Sequence, residues 1–173
     1  MRENPRVIIN KGALMAEIDE SDVAPAFDLP KAGGGSGSLD DDLARPLVLF
    51  FFCKDGGGAC EREAIDFSAL KPEFDRIGVA LVGISPEGPR SKERFRDRHS
   101  VTVDLLSDET KAAASAYGVW KEKSMYGRSY MGVERTTFLI DVGGRISKVW
   151  RKVRVAGHAR DVLAAAIELR NHG

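Results

Sequence analysis

The stretch Phe50-Phe51-Phe52-Cys53-Lys54-Asp55-Gly56-Gly57-Gly58-Ala59-Cys60-Glu61-Arg62-Glu63 decides how this chain reads. An apolar run ends, a glycine-rich loop follows, and a cysteine opens a helical pattern. This order places a thiol at the positive end of a helix dipole, where backbone N–H groups lack intrahelical partners and favour an anion. The thiolate is such an anion and is the form of cysteine that attacks an electrophile. Cys60 is therefore a candidate reactive cysteine.

The surrounding sequence supplies a scaffold. Residues 47–52 form a continuous apolar run, the pattern of a strand buried on both faces. Phe67, Leu70, Phe74 and Ile77 recur at helical spacing behind Cys60, and Lys71-Pro72 predicts a kink or a break into two helices. Residues 79–84 read as a second buried strand. Residues 88–99 read as a charged, solvated helix held down by Phe95, and residues 103–106 as a short strand. Ser107 is the expected cap of a following helix. Residues 136–140 and 145–151 read as strands paired around Asp141-Val142-Gly143-Gly144. A final helix over 158–170 turns Val162, Leu163, Ala166, Ile167 and the stem of Arg170 to one face. Before the first central strand, residues 24–30 suit a short extended edge segment between two prolines. Gly33-Gly34-Gly35-Ser36-Gly37-Ser38 reads as a flexible loop. Alternating strands and helices followed by a hairpin and a helix predict an α/β fold: a central mixed β-sheet flanked by helices. Residues 1–21 are expected to be an N-terminal extension and residues 22–173 the folded domain.

The 173 residues, 43% hydrophobic and 30% charged, fit one globular domain with a substantial core. Lys plus Arg and Asp plus Glu each number 26, so no basic excess points to nucleic acid or an anionic membrane. No apolar run is long enough to span a bilayer. The N-terminus lacks a signal-peptide pattern, so the expectation is a cytoplasmic protein with reduced thiols. The two cysteines and three histidines show no zinc spacing, and no Cys-x-x-Cys pair is present. No cofactor or metal is called for.

A reactive Cys60 needs more than a helix terminus. A free thiol has a pKa of about 8.5, and lowering it by about two units takes roughly 3 kcal/mol of thiolate stabilisation. A helix end supplies about 0.3–1 kcal/mol. A cation must add the rest, and Lys54, Arg62, Arg128 and Arg135 are the candidates. Arg62, two positions along the helix, points elsewhere. Arg135 opens a strand that reads as central, so it either reaches the sulfur from the strand end or is an ordinary surface arginine.

Several motifs together resemble the bacterioferritin comigratory protein, or peroxiredoxin Q, branch of the peroxiredoxins. They are Ala24-Pro25-x-Phe27-x-Leu29-Pro30, Phe52-x-Lys54-Asp55 with Cys60-x-x-Glu63, Tyr117-Gly118-Val119-Trp120, Tyr126-Gly127, and Arg135-x-Thr137-Phe138-Leu139-Ile140-Asp141. Val149-Trp150-Arg151-Lys152-Val153 and Gly157-His158 complete the set. The resemblance implies a thioredoxin-like fold and a thiol-dependent peroxidase. Cys60 would attack the O–O bond of hydrogen peroxide or an alkyl hydroperoxide and become a sulfenic acid. Arg135 would hold the thiolate and polarise the peroxide, and Glu63 would orient Arg135. From the sequence alone, Glu63 reads equally well as a solvated glutamate early in the helix. The implied partners are a hydroperoxide and an external thiol reductant such as thioredoxin or a glutathione system, acting on a monomer or weak dimer.

Three departures fall in the loop. Cys53 stands where the family carries a proline, Gly57 where it carries a hydroxyl residue, and Gly58-Ala59 where it carries Pro-Gly. Ile65 stands where many members place a resolving cysteine. Either an external thiol reduces Cys60, or Cys53 resolves it. Cys53 also reads as a small buried residue at a strand end. The alternative function is a degenerate thioredoxin-fold module with weak or no peroxidase activity, acting in binding or redox sensing. Met125, Tyr126, Tyr130 and Met131 form an apolar cluster that suits a substrate rim or a contact surface.

Overall fold

The computed structural model describes residues 18–39, 44–52 and 58–172, with residues 58–60 described in backbone only. In chain order the elements are β1 (Asp28–Pro30), β2 (Ser36–Ser38), β3 (Leu47–Phe51), α1 (Gly58–Arg76), β4 (Ala80–Ser85), α2 (Pro89–His99) and β5 (Asp104–Ser107). There follow α3 (Ala112–Ala116), β6 (Trp120–Met125), β7 (Arg128–Val133), β8 (Thr136–Ile140), β9 (Ile146–Trp150) and α4 (His158–His172).

The central sheet has the order β5-β4-β3-β8-β9. β3 pairs parallel with β4 and antiparallel with β8, so the apolar run is the middle strand. Every residue of β3 is 0% exposed, which explains why the run is continuous rather than alternating. Leu47, Leu49 and Phe51 enter one core with Phe138, Tyr117 and Ala114. Val48, Phe50 and Phe52 enter the other with Phe67, Phe74 and Val162. Burying each large side chain is worth roughly 1.5–3 kcal/mol, so both faces of β3 anchor the fold. α1 and α4 pack against each other over the second core.

Several sequence expectations are corrected. Of the kink or break expected at Lys71-Pro72, the break is ruled out, because α1 runs through Pro72 as one helix. Phe67, Leu70 and Phe74 are buried on either side of the proline, and that packing outweighs the lost backbone bond. Part of the glycine–serine segment is a strand, because Ser36–Ser38 pairs antiparallel with Asp28–Pro30. Gly37 permits this: a Cβ there would lie 2.8 Å from Leu106 Cδ2, so β2 rests directly on β5. Ser107 ends β5 and does not cap the next helix, whose N-cap position is Lys111; Asp108 instead reaches its first turn. Its carboxylate oxygens accept hydrogen bonds from the backbone N–H groups of Ala113 and Ala114 at 3.1 and 2.8 Å. Ile167 is 40% exposed, and Arg170 also lies outside the buried face of α4.

The charged helix α2 buries Phe95 as expected but also Lys92, which is 0% exposed. The Lys92 ammonium donates to the carbonyls of Ser85 and Glu87 at 3.0 and 2.7 Å, and it sits 5.8 Å from the centre of the Phe52 ring. Ile18 lies in the first core, and the N–H of Ser21 donates to the Ile146 carbonyl. Among the described residues no helix is long and apolar enough to cross a membrane.

Candidate active site

The middle of the sheet fixes the geometry of the site. Phe51 is paired with Thr136, so Phe52 and Arg135 leave adjacent antiparallel strands at the same end of the sheet. From that end the chain passes through residues 53–57, which lie outside the described residues, and enters α1 at Gly58. Cys53, Lys54 and Gly57 therefore lie outside the description. Cys60 is placed by its backbone in the first turn of α1, where the helix dipole is positive. This is the strand-to-helix junction read from the sequence, and β8 stands beside it.

Arg135 is held from the next segment. Its Nη1 donates to the Val153 carbonyl at 3.2 Å, and its own carbonyl accepts the N–H of Val153 at 2.9 Å. Two contacts to one residue fix the guanidinium stem, and Arg135 is half-buried rather than a free surface side chain. Of the other cations considered, Arg62 and Arg128 are exposed.

Glu63 is not a solvated glutamate. It is 1% exposed, and neither carboxyl oxygen has a hydrogen-bond partner among the described residues. Burial pushes its pKa up to about 8; the nearby Arg135 charge opposes that rise and Asp66 adds to it. Desolvation outweighs the cation, so near neutrality the carboxyl carries its proton. Neutral, it does not cancel the charge of Arg135.

Behind Arg135, Thr136 and Thr137 are fully buried. Thr137 Oγ1 lies 2.8 Å from His158 Nε2. The imidazole meets the rings of Phe67 and Trp150 edge-on at 5.8 and 5.9 Å. Burial pushes His158 down to about 4, with Asp161 opposing and Arg135 reinforcing the fall, so it is neutral at physiological pH. His158 thereby joins α1, β8, β9 and α4.

The sequence reading missed the β6–β7 hairpin and the cavity at its base. The register pairs Lys121 with Gly132, Lys123 with Tyr130 and Met125 with Arg128, which puts these residues on one face. At the tip, Tyr126 is 98% exposed with φ 53°, and Gly127 follows with φ 76°, a two-residue turn of left-handed residues. At the base, a cavity of about 330 Å³ is lined by Lys123, Val133, Glu134, Arg135, Lys152 and Val153. The alternation of β6 is weak in sequence because most of this hairpin is exposed on both faces.

Residues 21–149 match the AhpC/TSA family model. The chain belongs to the AhpC/TSA family. Within it, the chain is 42% identical over 144 residues to Peroxiredoxin Bcp of Xanthomonas campestris, covering 82% of this chain and 90% of that protein. It is 36% identical to Peroxiredoxin Bcp of Bacillus subtilis, covering 84% and 93%. The fold superposes on a structure of the Xanthomonas campestris bacterioferritin comigratory protein, studied for alkyl peroxide reduction, with a TM-score of 0.79 and 38% identity over 83% of this chain and 92% of that one. A cysteine-to-serine variant of PrxQ from Xylella fastidiosa gives a TM-score of 0.82 at 32% identity, covering 90% and 98%. The fold is thioredoxin-like, and the chain is a peroxiredoxin, a thiol-dependent peroxidase.

Proposed function

We propose that this AhpC/TSA-family chain reduces hydrogen peroxide and alkyl hydroperoxides with Cys60 as nucleophile, and that an external thiol closes the cycle. The observation that carries this reading is the juxtaposition of Arg135, fixed by Val153 at the end of β8, with the junction at which β3 gives way to the helix bearing Cys60. The Cys60 thiolate attacks one peroxide oxygen and the O–O bond breaks. The other oxygen leaves with the bonding pair and takes a proton, giving water or an alcohol and a Cys60 sulfenic acid. Arg135 and the first N–H groups of α1 stabilise charge on the thiolate and on the departing oxygen. Glu63, one helical turn beyond Cys60, is neutral near pH 7 and leaves the Arg135 charge unspent for the thiolate and the departing oxygen.

A thiol, such as thioredoxin or glutathione, then condenses with the sulfenic acid, releasing water and forming a mixed disulfide that a second thiol reduces. Cys53 is the internal candidate for that first thiol, through a loop short enough for disulfide geometry. Gly57 leaves the loop without the hydroxyl donor common in the family, and losing one preorganised donor costs on the order of 10²–10³ in rate. The protein works as a monomer or weak dimer in the reducing cytoplasm, with residues 22–173 as the catalytic domain.

The test is hydroperoxide consumption by reduced protein with thioredoxin, glutathione and dithiothreitol as alternative donors. Wild type is expected to turn over, and Arg135→Ala to lose on the order of 10²–10³ in rate. Consumption no faster than by Cys60→Ser would sink the reading in favour of a degenerate binding module. Mass spectrometry after one equivalent of peroxide separates a Cys53–Cys60 disulfide from a lasting Cys60 sulfenic acid.

A further inference from the structure

We infer that the cavity beside Arg135 is an anion subsite, which takes the carboxylate of a small amphiphilic molecule entering the reaction at Cys60. The cavity lies beside Arg135, at the base of the β6–β7 hairpin, and holds about 330 Å³. Lys123, Arg135 and Lys152 line it, against a single acid, Glu134. That acid is shared with Lys121, outside the lining, whose Nζ donates to its Oε1 at 3.1 Å. The lining therefore carries an excess of positive charge. Val133 and Val153, 3% and 7% exposed, supply the remaining wall and suit a short hydrocarbon stem. Three cations with two valines fit a carboxylate on an apolar body.

The cationic wall is built rather than incidental. Lys123 projects from the same face of the hairpin as Lys121, and its stem lies across Gly132, where a Cβ would come within 3.3 Å of Lys123 Cδ. Any larger residue at Gly132 would push that stem. Partial burial and the neighbouring Arg135 charge hold the Lys123 ammonium below its ordinary range, and Glu134 opposes this. An anion between the cations relieves that repulsion. Lys152 sits at φ 48°, a left-handed conformation that costs energy for a side-chain-bearing residue and persists only where its surroundings impose it. It is immediately followed by Val153, the residue that clamps Arg135.

The inference rests on the proposed chemistry, because a carboxylate here is useful only if Arg135 also serves Cys60. The carboxylate has two possible sources, the hydroperoxide or the reducing thiol. Para-carboxy cumene hydroperoxide is compared with its methyl ester in the oxidative half-reaction, and mercaptopropionate with its methyl ester in the reductive half-reaction. Wild type, Lys123→Gln, Lys152→Gln and the double variant are each measured. Partly exposed ion pairs of this kind support a preference of about three- to tenfold in kcat/KM for the acid over its ester, which falls towards unity in the double variant and at high salt. Preference in the oxidative half assigns the carboxylate to the peroxide; preference in the reductive half assigns it to the thiol. No preference in either half, or one that both lysine substitutions leave unchanged, overturns the inference. A turnover-independent readout separates this from failure of the peroxidase reading. The unreactive alcohol of the carboxy probe, titrated into Cys60→Ser protein by NMR, should saturate with shifts at Val133 and Val153 that the double variant loses. Absence of those shifts overturns the subsite whatever the fate of the chemistry.

Discussion

At the scale of single residues, Glu63 carries the sharpest consequence. Its folded-state pKa of about 8 stands above the ordinary 4.5, so the folded chain holds this proton more tightly than the unfolded chain. That contribution is complete below about pH 4.5, declines as the pH rises, and is gone above about 8. Glu63→Gln keeps the shape of a neutral carboxyl and does not titrate. Between pH 5 and 9 the stability of Glu63→Gln relative to the parent should rise by a few kcal/mol, read from urea unfolding at each pH. A difference that stays flat with pH would mean that Glu63 is ionised in the folded protein throughout. The sequence left Glu63 evenly divided between a solvated glutamate and one that orients Arg135, and burial was not part of either reading. What decides it is the packing of α1 against the sheet, which spacing does not encode.

At the scale of elements, the central strands were legible and the small ones were not. β3 announces itself as an unbroken apolar run because both of its faces are covered, and β8, equally buried, opens on Thr136 and Thr137 before its apolar stretch. β2, made of Ser36, Gly37 and Ser38, carries no apolar signal at all; it is a strand because Gly37 lets it lie on Leu106. Pro72 misled for a related reason, since local propensity argued for a break and buried aromatics on both sides kept the helix whole. Gly83 in β4 gives the element-scale test. An added Cβ would lie 2.6 Å from Phe50 Cζ and 3.1 Å from Leu105 Cδ2, inside the core. Gly83→Ala should therefore destabilise the protein by about 1–3 kcal/mol, seen as a lower urea midpoint with an unchanged slope. No loss would mean that the Phe50 ring moves aside at little cost.

At the scale of the whole molecule, the fold class and the position of Cys60 at a helix start could be read from sequence, whereas the pairing of β3 with β8 is set by the sheet. The cationic cavity could not be read from sequence either. Its walls come from β6, β7 and the segment after β9, which are distant in sequence and patterned by exposure rather than burial. His158 is a long-range tie between the helices and the sheet. It is neutral in the fold, with its pKa lowered to about 4, so the unfolded chain binds the proton first. Stability is complete above about pH 6.5 and is lost as the pH falls from there towards 4. The melting temperature should drop through that window, and the drop should shrink in His158→Gln, which keeps a polar partner for Thr137. An equal drop in both would assign acid sensitivity to other groups. Lys92 has a different kind of consequence. Its amine is sealed between Ser85, Glu87 and Phe52, so acylating reagents and modifying enzymes cannot reach it while the junction of β4 and α2 stays shut. A covalent mark on that nitrogen would be a timestamp, recording that the junction of β4 and α2 had once come open.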